Sequence, residues 1–242
     1  MAVNVNTVYL RVLAIANKEQ RGYITPQEFN TLANQAQLDI FEQYFYDLNQ
    51  FLRLPGNDTI HSDTVDMLEE KIEIFDKFNQ TVAMSANGVG DLTNSGANDI
   101  YRLGAVYHQT TVNGVSTILE AEHLNKNELR QYLNSPLTTP TVKRPVYIKT
   151  SETAIQVFPT SINANVTCNF IAKPSDVYWG YTIINDEALY NPSTSTNFEL
   201  HESEETDLVM KILALAGVVI KDPQLYQIAS SEDIKDIQQE KQ

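Results

Sequence analysis

Cysteine is nearly absent from this 242-residue chain: Cys168 is the only one. A lone cysteine rules out an internal disulfide, and its neighbours Thr167 and Asn169 offer no metal ligands at a useful spacing. It lies in the alternating run Val166, Cys168, Phe170, Ala172, so it reads as a small buried apolar residue rather than a nucleophile. One unpaired thiol suits folding in a reducing compartment. Histidine is also scarce, with four residues (His61, His108, His123, His201), none in a His-x-x-x-His arrangement. Long apolar runs are missing. The longest, 212–220, is well short of the roughly 20 residues a membrane span requires. No basic region followed by a long apolar core opens the chain, which argues against a secretory signal.

Positive charge is the next shortage. The chain has 17 basic residues against 31 acidic ones, a formal charge of −14. Binding to phosphate backbones needs clustered Lys and Arg, so a specific nucleic-acid reader is disfavoured. An acidic surface lets DNA pass without sticking, although it also serves plain solubility. A hydrophobic fraction of 42% is ordinary for a globular protein. A chain of this length buries about 70–75% of its unfolded surface and needs no metal to hold it together.

Helical signals concentrate at the two ends. Val5, Val8, Tyr9, Val12, Leu13, Ile15 and Ala16 recur at helical spacing, predicting a helix over 6–18 that ends near Gly22. Thr25-Pro26-Gln27-Glu28 is a capping box with proline at the first helical position. Ile24 and Phe29 are placed as a hydrophobic staple. The stripe Phe29, Leu32, Ala33, Ala36, Ile40, Phe41, Tyr44, Phe45, Leu48 follows for about five turns, until Pro55-Gly56-Asn57-Asp58 stops it. A third helix is predicted over 62–78, with acidic residues in its first half. Near the C-terminus, Leu208, Ile212, Leu215 and Val219, widened by Val209, Leu213, Ala216 and Ile220, predict a largely buried helix from about Ser203. The segment 230–242 is polar except for Ile234 and Ile237, and reads as a tail that either frays or orders on a partner.

The middle reads as strands. Residues 79–98 are rich in Gly, Asn and Ser and predict a long loop. A hairpin is predicted from 100–112 and 115–121 around Asn113-Gly114. A short helix follows at 124–133, then a second hairpin from 146–149 and 155–159. Further strands are predicted at 165–172 and 177–184. The fold class is therefore α+β, with N- and C-terminal helices packing as a bundle around an inserted antiparallel β-rich region. The parts are a helical portion 1–78, the β-rich insertion 79–198, and 199–242, which completes the bundle and adds the polar tail.

Candidate chemistry is thin. Gly88-Val89-Gly90 lacks the third glycine of a dinucleotide loop and does not follow a strand, so turn geometry explains it. Glu199, Glu202, Glu204, Glu205 and Asp207 form an acidic cluster, read either as a cation or acid–base site or as a solvated helix start whose charges suit the dipole. The second reading is preferred, because no alternating ligand loop is present. His123 beside Glu120 and Glu122, and His201 beside Glu199 and Glu202, do not chelate well, since adjacent residues on a strand face opposite ways. No Gly-x-Ser-x-Gly turn presents a nucleophile. No catalytic residue, metal or cofactor is assigned. The aromatic run Tyr178, Trp179, Tyr181 either feeds the core or meets a partner. Tyr178, Trp179, Tyr181, Ile234 and Ile237 are the candidate partner contacts.

Taken in order, the capped helices, the β insertion with Arg144-Pro145-Val146-Tyr147, Val157-Phe158-Pro159 and Phe170-Ile171-Ala172-Lys173-Pro174, and the closing helix resemble head-to-tail adaptor proteins of short-tailed bacteriophages. These are the ring-forming, tail tubular protein A-like connectors. The opening Asn17-Lys18-Glu19-Gln20-Arg21-Gly22-Tyr23-Ile24-Thr25-Pro26-Gln27-Glu28-Phe29 is similar to relatives in crAss-like phages. The resemblance implies a structural virion protein, not an enzyme. It would form a ring of about twelve identical subunits, docked on the portal protein and other tail ring proteins. Genomic DNA would pass through the bore without specific binding. Other virion roles, such as a fibre base or auxiliary capsid protein, and a carbohydrate-binding module remain open on the residues.

Overall fold

A computed structural model of the chain describes residues 2–18, 24–53, 59–93, 100–112, 115–185 and 187–219. The fold is α+β, as expected, and divides into two compact units. One comprises Met1–Ile74 with Pro174–Gln242, the other Phe75–Lys173. The insertion thus begins at Phe75 and ends at Lys173, against the 79–198 that composition suggested. The strand signal after Lys173 belongs instead to the helical unit.

In the helical unit, α1 (Val5–Lys18), α2 (Pro26–Arg53) and α3 (Thr59–Glu73) precede the insertion, and α5 (Glu205–Val219) follows it. Asn4 caps α1, its Oδ1 accepting from the amides of Asn6 (2.9 Å) and Thr7 (3.2 Å). The box at α2 forms as predicted. The Thr25 amide donates to Glu28 Oε2 at 2.9 Å, and the Glu28 amide donates to Thr25 Oγ1 at 3.3 Å. Ile24 and Phe29 are both buried. The Thr25 amide, then the Thr25 hydroxyl, holds the Glu28 carboxyl below its usual range. Helix α5 packs on α1 and α2, and α3 packs on α2. Leu208, Val209, Ile212, Leu213 and Ala216 of α5 are buried, in agreement with its wide apolar face. A single turn of tighter helix, Glu202–Glu204, leads into α5.

Three predictions are corrected here. The third helix stops at Glu73 instead of 78, and Phe78, 73% exposed, lies on a strand. The stretch 79–98 is not one long loop. It carries the end of β1 (Asp76–Thr81), then β2 (Ala83–Met84) and β3 (Val89–Asp91); 94–99 lie outside the described residues. β1 is polar and exposed, and β2 and β3 are only two and three residues long, so periodicity could not reveal them; their pairing partners define them. The run 177–184 is a strand only at β9 (Tyr181–Ile184), which pairs with β10 (Glu187–Tyr190) in the helical unit.

The second unit holds β1–β3, β4 (Ile100–Val112), β5 (Val115–His123), α4 (Leu129–Asn134), β6 (Val146–Lys149), β7 (Ala154–Phe158) and β8 (Val166–Ala172). Helix α4 starts five residues later than predicted. The strand order is β1-β8-β4-β5-β6-β7-β3-β2. Its two ends, β1 and β2, are separated in sequence by Val82 alone, whose amide donates to the Val166 carbonyl at 2.9 Å. One extended run, 76–84, therefore pairs first with β8 and then with β3, closing the sheet on itself. Closure removes most free edges. The exception is β5, which meets β6 only at Glu122↔Val146 and His123↔Tyr147, in parallel register. Inside lie Val82, Leu92, Val106, Ala121, Ile155, Val157, Val166, Cys168 and Phe170. Gly88 turns the chain between β2 and β3 at φ 71°, a left-handed conformation that glycine adopts at no steric cost. Gly88 thus has the expected turn role, whereas Gly90 lies within β3, where an added Cβ would meet the Val82 side chain at 2.8 Å. Asn113-Gly114 and the tail 230–242 fall outside the described residues.

Thr25→Ala removes an α2 cap acceptor and is expected to lower stability by about 1 kcal/mol. A denaturant titration checks this; an unchanged midpoint would mean that the box contributes nothing to α2.

Candidate functional site

The aromatic run sits in the helical unit, after an extended segment that α2 holds with side-chain amides. Asn30, Asn34 and Gln37 occupy positions i, i+4 and i+7, one face of α2 beside the apolar stripe. Gln37 Nε2 donates to the Ser175 carbonyl at 2.8 Å, and its Oε1 accepts from the Glu199 amide at 3.1 Å. Asn34 brackets Val177, donating to its carbonyl at 3.0 Å and accepting from its amide at 2.7 Å. Asn30 treats Trp179 in the same way, at 3.4 Å and 2.8 Å. The spacings match: seven helical residues rise about 10 Å and four extended residues about 13 Å. Three carboxamides thereby stand in for a neighbouring strand and satisfy backbone groups that would otherwise be orphaned.

This ladder fixes where each aromatic goes. Trp179 is turned inward and buried. Its indole N–H donates to Asn6 Oδ1 at 3.1 Å, and its ring centroid lies 4.2 Å from Tyr9, 5.9 Å from Tyr181 and 5.8 Å from Tyr190. Tyr181 and Tyr190 face each other across β9–β10 and are half-buried against the tryptophan. Tyr178 alternates to the outside and is exposed, with its backbone bridged to Thr196. Of the candidate contacts, Tyr178 therefore presents its ring outward, Tyr181 does so in part, and Trp179 serves the unit's own core. Ile234 and Ile237 lie outside the described residues. The β9–β10 hairpin also exposes Ile183, Ile184 and Leu189, which the sequence reading did not single out.

The acidic cluster separates into individual roles. Glu199 accepts from the Ser175 amide at 3.0 Å and from the Ser175 hydroxyl. Glu204 is buried rather than solvated, paired with Lys71 Nζ at 2.7 Å, and that ammonium also lies 5.7 Å from the Tyr44 ring centroid. Glu205 meets Arg11 at 2.9 Å. Glu205 and Asp207 stand in the first turn of α5, where the dipole favours them. His201 Nδ1 accepts from the Ser203 amide at 3.2 Å, capping the turn before α5. Among the described residues, no group of three His, Cys, Asp or Glu is placed to hold a metal ion.

In the second unit, His123 is exposed, 5.1 Å from the Tyr147 ring. Together with Glu120, Glu122 and Gly104 it borders an open cavity of about 530 Å³. Burial, followed by the nearby Glu120 charge, raises the Tyr147 phenol above its usual range. His108, Thr110, Ser161, Asn163 and Asn165 border another open cleft, of about 400 Å³. His108 is buried, and its Nδ1 has no hydrogen-bond partner among the described residues. Cys168 is fully buried, which pushes its thiol up to about 11. It is a core residue, as its alternating neighbours indicated. The side chain of His61 lies outside the described residues.

Among the described residues, Glu199, Glu204, Glu205 and His201 of the acidic cluster are each held by a structural partner. No protein-family model matches the chain, and no curated protein is significantly similar to it. No helix among the described residues is long and apolar enough to cross a membrane.

Two outcomes are expected. Asn34→Ala strands the amide and carbonyl of Val177 and should cost about 1–3 kcal/mol, whereas Gln35→Ala on the exposed face should stay within about 0.5 kcal/mol. Equal effects in chemical denaturation would contradict the ladder. Cys168 should resist a thiol-specific reagent near pH 8 while the protein is folded. Because its folded pKa is raised from 9.0 to about 11, its contribution to stability is whole below pH 9 and declines as pH rises towards 11. Rapid labelling under native conditions would show the thiol to be accessible.

Proposed function

We propose that the chain is a structural virion protein: a subunit of a ring that connects portal to tail and forms part of the DNA conduit. The observation that carries this reading is where the three motifs of the phage-connector resemblance fall. Arg144-Pro145-Val146-Tyr147 enters β6, Val157-Phe158-Pro159 leaves β7, and Phe170 to Pro174 leaves β8. All three belong to one closed sheet, inserted between helices drawn from both ends of the chain. Two further features favour it. Polar and ionic side chains are used to bind segments of the chain together, as a load-carrying part requires. The net charge of −14 repels a passing duplex.

On this reading the mechanism is steric. Subunits meet head-to-tail, and the rotation between neighbours closes the ring. Tyr178, the exposed hairpin residues Ile183, Ile184 and Leu189, and the tail carrying Ile234 and Ile237 are the surfaces offered to neighbouring tiers. The residues named do no covalent chemistry and hold no cofactor. Light scattering after size exclusion, followed by electron microscopy of the chain mixed with a cognate portal protein, tests the proposal. The expected result is a closed ring seated on the portal. A trimer that ignores the portal would point to a fibre base, and a monomer that binds glycan and ignores the portal would point to a carbohydrate-binding module.

A further inference from the structure

The charge is divided unequally between the two units. Residues 75–173 carry 8 basic and 7 acidic side chains, leaving 9 basic and 24 acidic on the rest of the chain. The helical unit is thus strongly acidic and the β unit close to neutral. Inside the β unit the basic residues are not spread evenly. Residues 124–145, which link β5 to β6, hold four basic side chains and one acidic, Glu128. This strap packs inward through Leu124, Leu129 and Tyr132 against Val146, Ile148 and Phe158. Outward it presents Arg130, Lys143 and Arg144, all exposed, together with exposed Leu133, Val142 and Leu137, the last 86% exposed. None of the three cations has an ion partner among the described residues. Exposed apolar side chains with a polar rim are the make-up of a protein interface, and Arg is enriched at such surfaces.

Helix α3 carries the counterpart. Asp66, Glu69, Glu70 and Glu73 stand at i, i+3, i+4 and i+7, one exposed face of the helix, opposite buried Leu68 and Ile72. Met67, 58% exposed, flanks the stripe. Like charges at i, i+4, as in Asp66/Glu70 and Glu69/Glu73, destabilise an isolated helix. A cationic partner laid along the stripe relieves that repulsion. We infer that the strap 124–145 of one copy docks on the acidic outer face of α3 of a second copy, a heterologous contact steered by charge and seated by Leu137 and Met67. This rests on the ring reading only in supposing that copies meet each other, and it names the surfaces that do so.

Sedimentation velocity on the full chain tests the inference, with two triple variants: Arg130→Glu/Lys143→Glu/Arg144→Glu on the strap, and Glu69→Lys/Glu70→Lys/Glu73→Lys on α3. Circular dichroism melts confirm that each is folded. Wild type should self-associate at low ionic strength, weakening by about tenfold or more as the Debye length is shortened below about 4 Å. Each variant alone should lose the association, and an equimolar mixture of the two should regain it, since each then offers the other an opposite charge. Three results would overturn the inference: wild type that stays monomeric at low salt, folded variants that associate as wild type does, or a mixture that stays monomeric. Saturable binding of a DNA duplex that the strap variant abolishes would also overturn it, reassigning the strap to a polyanion. Any of these leaves the ring reading standing as long as wild type still forms a ring on the portal, so the two failures are separable.

Discussion

The helical unit depends on three side-chain amides reading a backbone. A bundle assembled from both ends of a chain must hold the returning segment before the last helix can pack, and that segment enters here without a sheet to join. Asn30, Asn34 and Gln37 supply the missing neighbour, giving and taking hydrogen bonds along 175–179 and at Glu199. A carboxamide is the only side chain that both donates and accepts in the geometry of a peptide group. Asp or Lys at these positions would leave half the bonds unmade, and Leu all of them. Once the segment is seated, Trp179 is directed onto Tyr9 and Asn6, Glu199 closes on Ser175, and α5 begins where Lys71 can reach Glu204. Polar contacts set the path here, and apolar contacts fill the space around it.

The β unit solves a different problem. An inserted sheet has edges, and edges invite unwanted pairing. Running β1 into β2 through a single residue lets one segment serve both ends of the sheet, so that the insertion buries its own core around Val106, Val166 and Phe170. The link between β5 and β6 is the part left over from closure. Parallel strands cannot be joined by a tight turn, so a strap must cross the outside, and it is this strap that carries unpaired cations. Topology thus places a basic surface on the near-neutral unit, while α3 places an acidic one on the other.

How much of this was legible follows from which signals are local. α1, α2 and α5 could be read because a helix repeats its face every few residues and because Thr25, Pro26 and Glu28 mark a start unambiguously. The pairs β4–β5 and β6–β7 could be read from alternation and turn residues. β1, β2 and β3 could not: Asp76 to Thr81 is polar and exposed, and its conformation is dictated by β8, some ninety residues away. The amides of α2 were hidden for a related reason. Asn and Gln beside an apolar stripe look like solvent-facing residues until the segment they grip is seen. The aromatic run was noticed for its composition, but only the ladder decides that Trp179 turns in and Tyr178 out. In the acidic cluster, a solvated turn was expected, but Glu204 is buried and ion-paired with Lys71.

These constraints leave exposed the Tyr178 ring, an apolar hairpin and two faces of opposite charge. Such surfaces suit the proposed role of a component that binds neighbours. The account stands or falls on the ladder that orders 175–179. Native-state hydrogen exchange followed by NMR measures it directly, residue by residue. The amides of Val177 and Trp179, although outside any helix or strand, should exchange as slowly as those in the middle of α2, at the rate of global unfolding. Exchange of both amides on the fast timescale of exposed loops would contradict the claim that α2 holds this segment.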